Sequence, residues 1–248
     1  MDENRALPER DGWGWDDPAA ERYTDTIERK IPGYRNLYEL TAGFLQLGLR
    51  GTERPAILIV GAGGGQELSV FVPKLPNAVF TGVDPSERML NVARRRMYRE
   101  DTDGKIQLVR GHVGELPEDE RYDAAACLLV LHFVRGREAK LGLLREIARR
   151  TKPGAPLCLA SLNGAPGTEP FRAVMEAWKE HMLGNGIPLE EWERFASSIG
   201  STSEPVASEE LLGLAEQAGW ETGARYFSAY LIEAFLFKRS PRVTGEER

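Results

Sequence analysis

The side chains most able to do chemistry stand at four turns of this 248-residue chain. Gly61, Gly63 and Gly65 follow the apolar run Ala56–Val60 and precede a helical stretch from Gln66. Glycines there let the main chain bend sharply and lie bare against a ligand, with the amides of a helix N-terminus behind it. The spacing is G-x-G-x-G. The dinucleotide fingerprint needs a glycine where Gln66 stands, which disfavours a nicotinamide dehydrogenase. Asp84 closes the next apolar run, 19 residues after Gly65. A carboxylate there can accept both ribose hydroxyls of an adenosine laid across the strand ends. With Pro85 and Glu87 it also reads as a helix N-cap. His112 and Val113 follow the third run, where the imidazole can stack or accept a hydrogen bond and the Val113 N–H can meet a ring; a surface histidine in a turn is the other reading. His132 follows the fourth run and is a candidate to take a proton from a hydroxyl or amine; capping or orienting the next helix is its alternative. His181 is a second candidate of the same kind.

These turns need a scaffold, and the hydrophobic pattern supplies one. Ala56–Val60, Ala78–Val83, Ile106–Val109, Ala124–Leu131 and Leu157–Leu162 are largely apolar runs without polar alternation, separated by helical stretches at Gln66–Pro73, Pro85–Met97 and Glu138–Arg150. Such strands form a parallel sheet covered on both faces. A helix over Arg35–Leu49 precedes them. After Asn163 come helices at Phe171–Leu183, Leu189–Ser197 and Ser208–Ala218, then strands at Glu221–Tyr226 and Tyr230–Lys238. Two strands joined so tightly must be antiparallel, because a parallel crossover needs a dozen or more residues. The expectation is an α/β, doubly wound, mostly parallel seven-stranded sheet with an antiparallel C-terminal hairpin. The block 164–204 is a helical insertion over the edge where such sheets bind ligands.

Composition narrows the class. Acids outnumber bases by 38 to 32, a net charge of −6, which argues against a broad phosphate-gripping face. Arg94, Arg95 and Arg96 read as the solvated face of a helix. Cys127 and Cys158 lie in apolar runs and read as small buried hydrophobes, not as a disulfide framework or a metal site. No apolar run approaches the roughly 20 residues that span a bilayer, and residues 1–10 contain no secretory core. A cytoplasmic protein with no membrane or stable nucleic-acid partner is expected.

From Ala56 to Leu162 the chain resembles the class I S-adenosylmethionine-dependent methyltransferases, through ILIVGAGGG, TGVDPSERML, LVRGHVGELP, YDAAACLLVLHFV and ARRTKPGAPLCLASL in that family's order. The resemblance implies a Rossmann-like domain over 1–248. It would comprise an N-terminal lid and helix (1–50), a cofactor-binding core (56–162), an acceptor-side insertion (164–204) and a last helix and hairpin (205–238). One departure is Ile59, where the family usually has an acid. Within the superfamily the chain looks most like the carboxy-S-adenosylmethionine synthases, through IERKIPGYRNL (27–37), NGIPLEEW (185–192) and ARYFSAYLIEAFLFK (224–238). That likeness implies that Tyr34, Gly61, Ala62, Gly63, Gly65, Asp84, Pro85, His112, Val113 and Leu128 surround S-adenosylmethionine, and that S-adenosylhomocysteine is the product. The dimeric habit of that family implies a homodimer.

The synthases carry an asparagine where Leu128 stands and, on an ungapped match, an arginine where Ala196 stands. The arginine pairs with an extra carboxylate on the donor, and its loss here implies ordinary S-adenosylmethionine; Arg194 would substitute only through a local shift. Trp13, Trp15, Tyr23 and Tyr34 suggest an aromatic lid over a flat, partly apolar small-molecule acceptor, with His181 on the insertion beside it. The expected activity is methyl transfer to O or N. A synthase-like enzyme and a non-catalytic adenosine-binding subunit are the alternatives.

Overall fold

The computed structural model describes residues 26–98, 104–119 and 121–241. Trp13, Trp15 and Tyr23 lie outside the described residues. The element order is α1 (Tyr34–Gly48), β1 (Ala56–Val60), α2 (Gln66–Lys74), β2 (Val79–Asp84), α3 (Glu87–Met97), β3 (Ile106–Arg110), β4 (Ala124–Leu128), α4 (Arg137–Arg150) and β5 (Pro156–Leu162). It continues with α5 (Glu169–Gly184), α6 (Leu189–Ser198), α7 (Ser208–Gln217), β6 (Trp220–Ala229) and β7 (Ile232–Arg239). The seven strands form one sheet in the order β3-β2-β1-β4-β5-β7-β6. Strands β1 to β5 are parallel, and β7 is antiparallel to both β5 and β6.

Both faces of the sheet are covered, which is why its central strands carry no polar alternation. Ile57 and Ile59 turn to one face, with Leu37 and Leu45 of α1 and Leu68 and Phe71 of α2. Leu58 and Val60 turn to the other, with Leu141, Leu144 and Ile147 of α4 and Leu211 and Leu214 of α7. Each fully buried aliphatic contributes about 1.5–3 kcal/mol by leaving water, so the two layers hold the strand ends rigidly in register.

Two of the sequence expectations need correcting, and both corrections fall at the carboxyl edge. The fourth strand ends at Leu128 rather than Leu131, because Leu129 adopts a left-handed φ of 60° and its N–H crosses to Ala160 O at 2.7 Å. Tyr230 lies outside the last strand. It has a φ of 51° and forms a two-residue turn with Leu231, while the flanking strands run longer than their apolar cores suggest. Apolar periodicity reads through both turns because neither contains glycine or proline.

Candidate active site

The glycine loop is a scaffold of main-chain hydrogen bonds. Gly61 N–H and Ala62 N–H both reach Val83 O, at 2.8 and 3.1 Å, and Gly65 N–H closes on Ala62 O at 2.8 Å. Gly61, Gly63 and Gly65 have φ of 69°, 45° and 75°. Their surroundings differ. A Cβ on Gly61 would lie 2.3 Å from Val130 Cγ2, and one on Gly65 would lie 3.0 Å from Ala93 Cβ, so these two serve close packing. Around Gly63 the nearest atoms would stand at 3.7 and 3.9 Å. Gly63 therefore offers an open cradle that a side chain would fill and a ligand can occupy.

Asp84 ends β2 beneath this loop and is buried. Its Oδ2 accepts from Gly63 N–H at 2.9 Å and its Oδ1 from Ser86 N–H at 2.8 Å. The helix-capping role goes to Ser86, whose Oγ accepts from Met89 N–H. Asp84 is thus a carboxylate oriented by amides at the loop. Pro85 follows it directly. Arg96 reaches back from α3 to Gly64 O at 2.7 Å and holds the loop from its other side.

The adenine candidates stand beside this. Gly111 N–H donates to Asp84 O at 3.0 Å, which sets the end of β3 against the end of β2. His112 is exposed, with its N–H on Glu115 Oε2, and Val113 is buried at the start of a short 3-10 turn. Tyr34 is buried on α1; its hydroxyl accepts from Tyr38 at 2.9 Å, and the two rings meet edge to face. Tyr38 and Gln66 help line a cavity of about 250 Å³ between α1 and α2. Leu128 is buried at the end of β4. With Ile59 and the half-buried Leu129 and Val130 it makes the central strand ends apolar.

One residue the sequence reading passed over sits here. Glu67, in the first turn of α2, is buried. Burial, helped by the neighbouring Asp84, pushes its carboxyl up to about 8 against the pull of Arg96 and a backbone hydrogen bond. It is protonated at neutral pH. The signal was an acid two residues past the last loop glycine, on a turn otherwise packed into the core.

His132 is placed differently from the proton-taking role. It is buried, its Nδ1 accepts from Leu162 N–H at 3.2 Å, and Ser161 Oγ stands 3.5 Å away. Burial, with Lys140 nearby, lowers its pKa to about 3. The neutral ring therefore carries its proton on Nε2 and has no nitrogen left to accept another. The ring thereby ties the turn after β4 to the end of β5, and the His132 main-chain O accepts from Glu204 N–H at 2.6 Å. Glu204 then accepts from the N-cap amide Gly136 at 3.1 Å and from the wholly buried Lys140 at 3.3 Å.

Helices α5 and α6 lie in an excursion that leaves the sheet at Asn163 and returns at Val206, where the two strands bridge. Trp178 is its hub. Its Nε1 donates to Lys30 O at 2.6 Å, its ring stacks on Tyr230 at 5.5 Å and 16°, and Phe195 meets it edge-on at 4.9 Å. Lys30 pairs with Glu191 at 2.7 Å. His181 is half-buried, near Asn185 Nδ2 at 3.3 Å and Tyr230 at 5.7 Å. The sequence reading named His181 but neither Trp178 nor Tyr230, because single aromatics in a polar insertion carry no spacing signal.

A family model for a methyltransferase domain matches residues 57–154. The chain is 26% identical over 247 residues to 27-O-demethylrifamycin SV methyltransferase of Amycolatopsis mediterranei, covering 92% of this chain and 84% of that one. It is 21% identical to carboxy-S-adenosyl-L-methionine synthase of Desulfotalea psychrophila, over 87% of each. The protein is an S-adenosylmethionine-dependent methyltransferase with a methyltransferase domain at residues 57–154. In fold the enzyme matches an O-methyltransferase family 2 protein from Planctomyces limnophilus, solved with apigenin, at a TM-score of 0.63 and 15% identity. That match covers 92% of this chain and 63% of the other, so the enzyme spans less than two thirds of that structure's length. Among the described residues no helix is long and apolar enough to cross a membrane.

Proposed function

We propose that the enzyme transfers a methyl group from S-adenosylmethionine to a hydroxyl oxygen of a small, planar, partly apolar acceptor. The observation that carries this is the roof over the strand ends. Insertion helices α5 and α6 are fastened to the 26–31 segment through Trp178, Lys30 and Glu191, and the return of the insertion is fastened to α4 through Glu204 and Lys140. A roof held at both sides and packed with rings suits a small ligand. Arg94 and Arg96 are engaged within the fold, on Glu87 with Asn91 and on Gly64, which leaves no continuous basic surface from that run for nucleic acid.

In this reading Asp84 receives the ribose hydroxyls, Gly63 gives the donor room to lie on the main chain, and Val113 N–H and His112 meet the adenine. When bound, the donor supplies a methyl carbon already activated by its sulfonium for in-line displacement. The protein aligns the nucleophile and excludes water. The apolar Ile59, Leu128 and Leu129 keep that centre dry, and His132 orients the turn after β4. Of the histidines proposed for proton transfer, His132, directly after β4, is neutral with its accepting nitrogen occupied. The nucleophile must then ionise by itself, which favours a phenol, catechol or quinol hydroxyl over an aliphatic alcohol. The likeness to 27-O-demethylrifamycin SV methyltransferase over 84% of that protein's length supports oxygen as the acceptor atom.

The synthase reading has less support. Ala196 is half-buried against the apolar core and Arg194 is exposed, so neither position presents a buried cation for a second carboxylate. Incubating the enzyme with each donor separates the readings. Ordinary S-adenosylmethionine should yield a methyl ether on a catechol and S-adenosylhomocysteine. Formation of the carboxylated donor, or transfer to amines alone, would overturn the proposal.

A further inference from the structure

Among the described residues, the non-glycine residues with positive φ are Leu129 and Tyr230, and both lie at the carboxyl edge of the sheet. Leu129 shapes the floor, as described above. Tyr230 is unexplained by the fold alone. It occupies a two-residue hairpin turn, where glycine or asparagine would take a positive φ at little cost and tyrosine is strained. A shorter side chain would close the same hairpin, since Ala229 and Ile232 already pair across it. Strain of this kind persists where the surroundings over-determine it and is concentrated at ligand sites.

The surroundings of Tyr230 indicate which ligand. Ile232, two residues on, pairs with Leu162 at the end of β5, so the hairpin tip stands at the same edge as the glycine loop and the apolar floor. One face of the Tyr230 ring stacks nearly parallel on the buried Trp178, and His181 approaches it at 5.7 Å. Trp178 is in turn fixed by Lys30 O and Phe195. The ring remains half-buried, so part of it is left uncovered by protein. Among the described residues its hydroxyl has no hydrogen-bond partner. A rigid, pre-stacked ring at the reactive edge extends an aromatic stack to a further flat molecule at small entropic cost.

We propose that Tyr230 positions the methyl acceptor, its ring forming one wall of a slot that takes a planar aromatic hydroxyl compound. The inference rests on the O-transfer reading above and specifies the substrate class of that site. Tyr230 acts here through stacking and takes no part in bond making.

The test titrates apigenin and catechol into the full-length enzyme loaded with S-adenosylhomocysteine, by calorimetry, for the wild type, Tyr230→Gly and Tyr230→Phe. Glycine accepts the backbone φ and removes the ring, so the hairpin is kept while the wall is lost. We expect Tyr230→Gly to weaken apigenin binding tenfold or more, with S-adenosylhomocysteine affinity and thermal midpoint no lower than in the wild type. Tyr230→Phe should restore the binding. Equal apigenin affinity in Tyr230→Gly overturns the proposal, as does a parallel loss of S-adenosylhomocysteine affinity and thermal midpoint, which marks a structural role. A wild type that binds neither phenol overturns it as well. Methyl transfer assayed separately on the same three proteins, with S-adenosylmethionine in place of S-adenosylhomocysteine, separates the two claims: phenols bound in the Tyr230 slot, with methylation falling only on amines, would retire the O-transfer reading and leave the slot standing.

Discussion

At the ends of β1, β2 and β3, the groups that shape the sheet edge are turns and amides: three left-handed glycines, the Gly63 N–H held by Asp84, and Gly111 N–H on Asp84 O. At the ends of β5 and β7, they are rings: Trp178 on Tyr230, Phe195 on Trp178, His181 beside them. The first region fixes its geometry through covalent chain restrictions and hydrogen bonds a few residues long. The second fixes it through contacts between segments nearly 150 residues apart, such as Trp178 Nε1 on Lys30 O. A donor shared across a superfamily can be held by backbone, because backbone is indifferent to side-chain drift. An acceptor particular to one enzyme needs side chains, which can be exchanged without disturbing the sheet.

Mutations should therefore separate the two regions. The largest effect is expected from Trp178→Ala, which empties the hub and costs about 3–5 kcal/mol. Denaturant unfolding should show that loss, while S-adenosylhomocysteine affinity in the folded protein stays within about twofold; a collapse of cofactor affinity would erase the division. The converse is Gly61→Ala. Its methyl group meets Val130 at a φ of 69°, so backbone strain and overpacking together cost roughly 2–5 kcal/mol. Here calorimetry should find cofactor binding lost. The packing around Trp178, read by its fluorescence, should be kept.

Proton linkage sharpens the contrast. Glu67 has a carboxyl raised to about 8 from its ordinary 4.5, so between those pH values the fold holds a proton that the unfolded chain has released. Stability from this group is complete below pH 4.5 and declines by about 1.4 kcal/mol per pH unit until the folded carboxyl ionises near pH 8. Glu67→Gln removes the decline, and its thermal midpoint should exceed that of the wild type increasingly from pH 5 to pH 8. His132 works in the opposite direction. Neutral in the fold down to about pH 3, it loses stability as pH falls below 6.5. A pH–rate profile with no inflection between pH 6 and 7 would agree with His132 as an orienting group, whereas one abolished by His132→Gln would restore it as the base. The smallest effect belongs to Leu129→Gly. Relief of the left-handed strain is offset by glycine's entropy and by the loss of a half-buried side chain, so urea unfolding should change by less than about 1 kcal/mol.

The glycine-loop side was legible in the sequence for the reason that it is backbone. A strand, a glycine turn and an acid closing the next strand are local patterns, and all three landed together around Gly63 and Asp84. The sheet and its final hairpin were legible as well, since unalternating apolar runs and a short strand connection each admit one arrangement. The aromatic side was not. Trp178, Tyr230, Lys140 and Glu204 acquire their roles from partners distant in the chain, which periodicity does not register. Leu129 and Tyr230 hid their turns because the surrounding packing holds them at φ values that their side chains disfavour. Glu67 was overlooked because attention to the glycine spacing stopped at Gln66. His132 was read from its position after β4 alone, and only the Leu162 N–H showed which nitrogen was occupied.

The most direct test of the account is one incubation. The enzyme receives S-adenosylmethionine bearing a trideuterated methyl group together with catechol and an aromatic amine, and the products are weighed and their sites of labelling assigned. The account expects the label on the catechol oxygen, with S-adenosylhomocysteine formed in equal amount. Label on nitrogen or carbon, or consumption of the donor without a labelled ether, would contradict it.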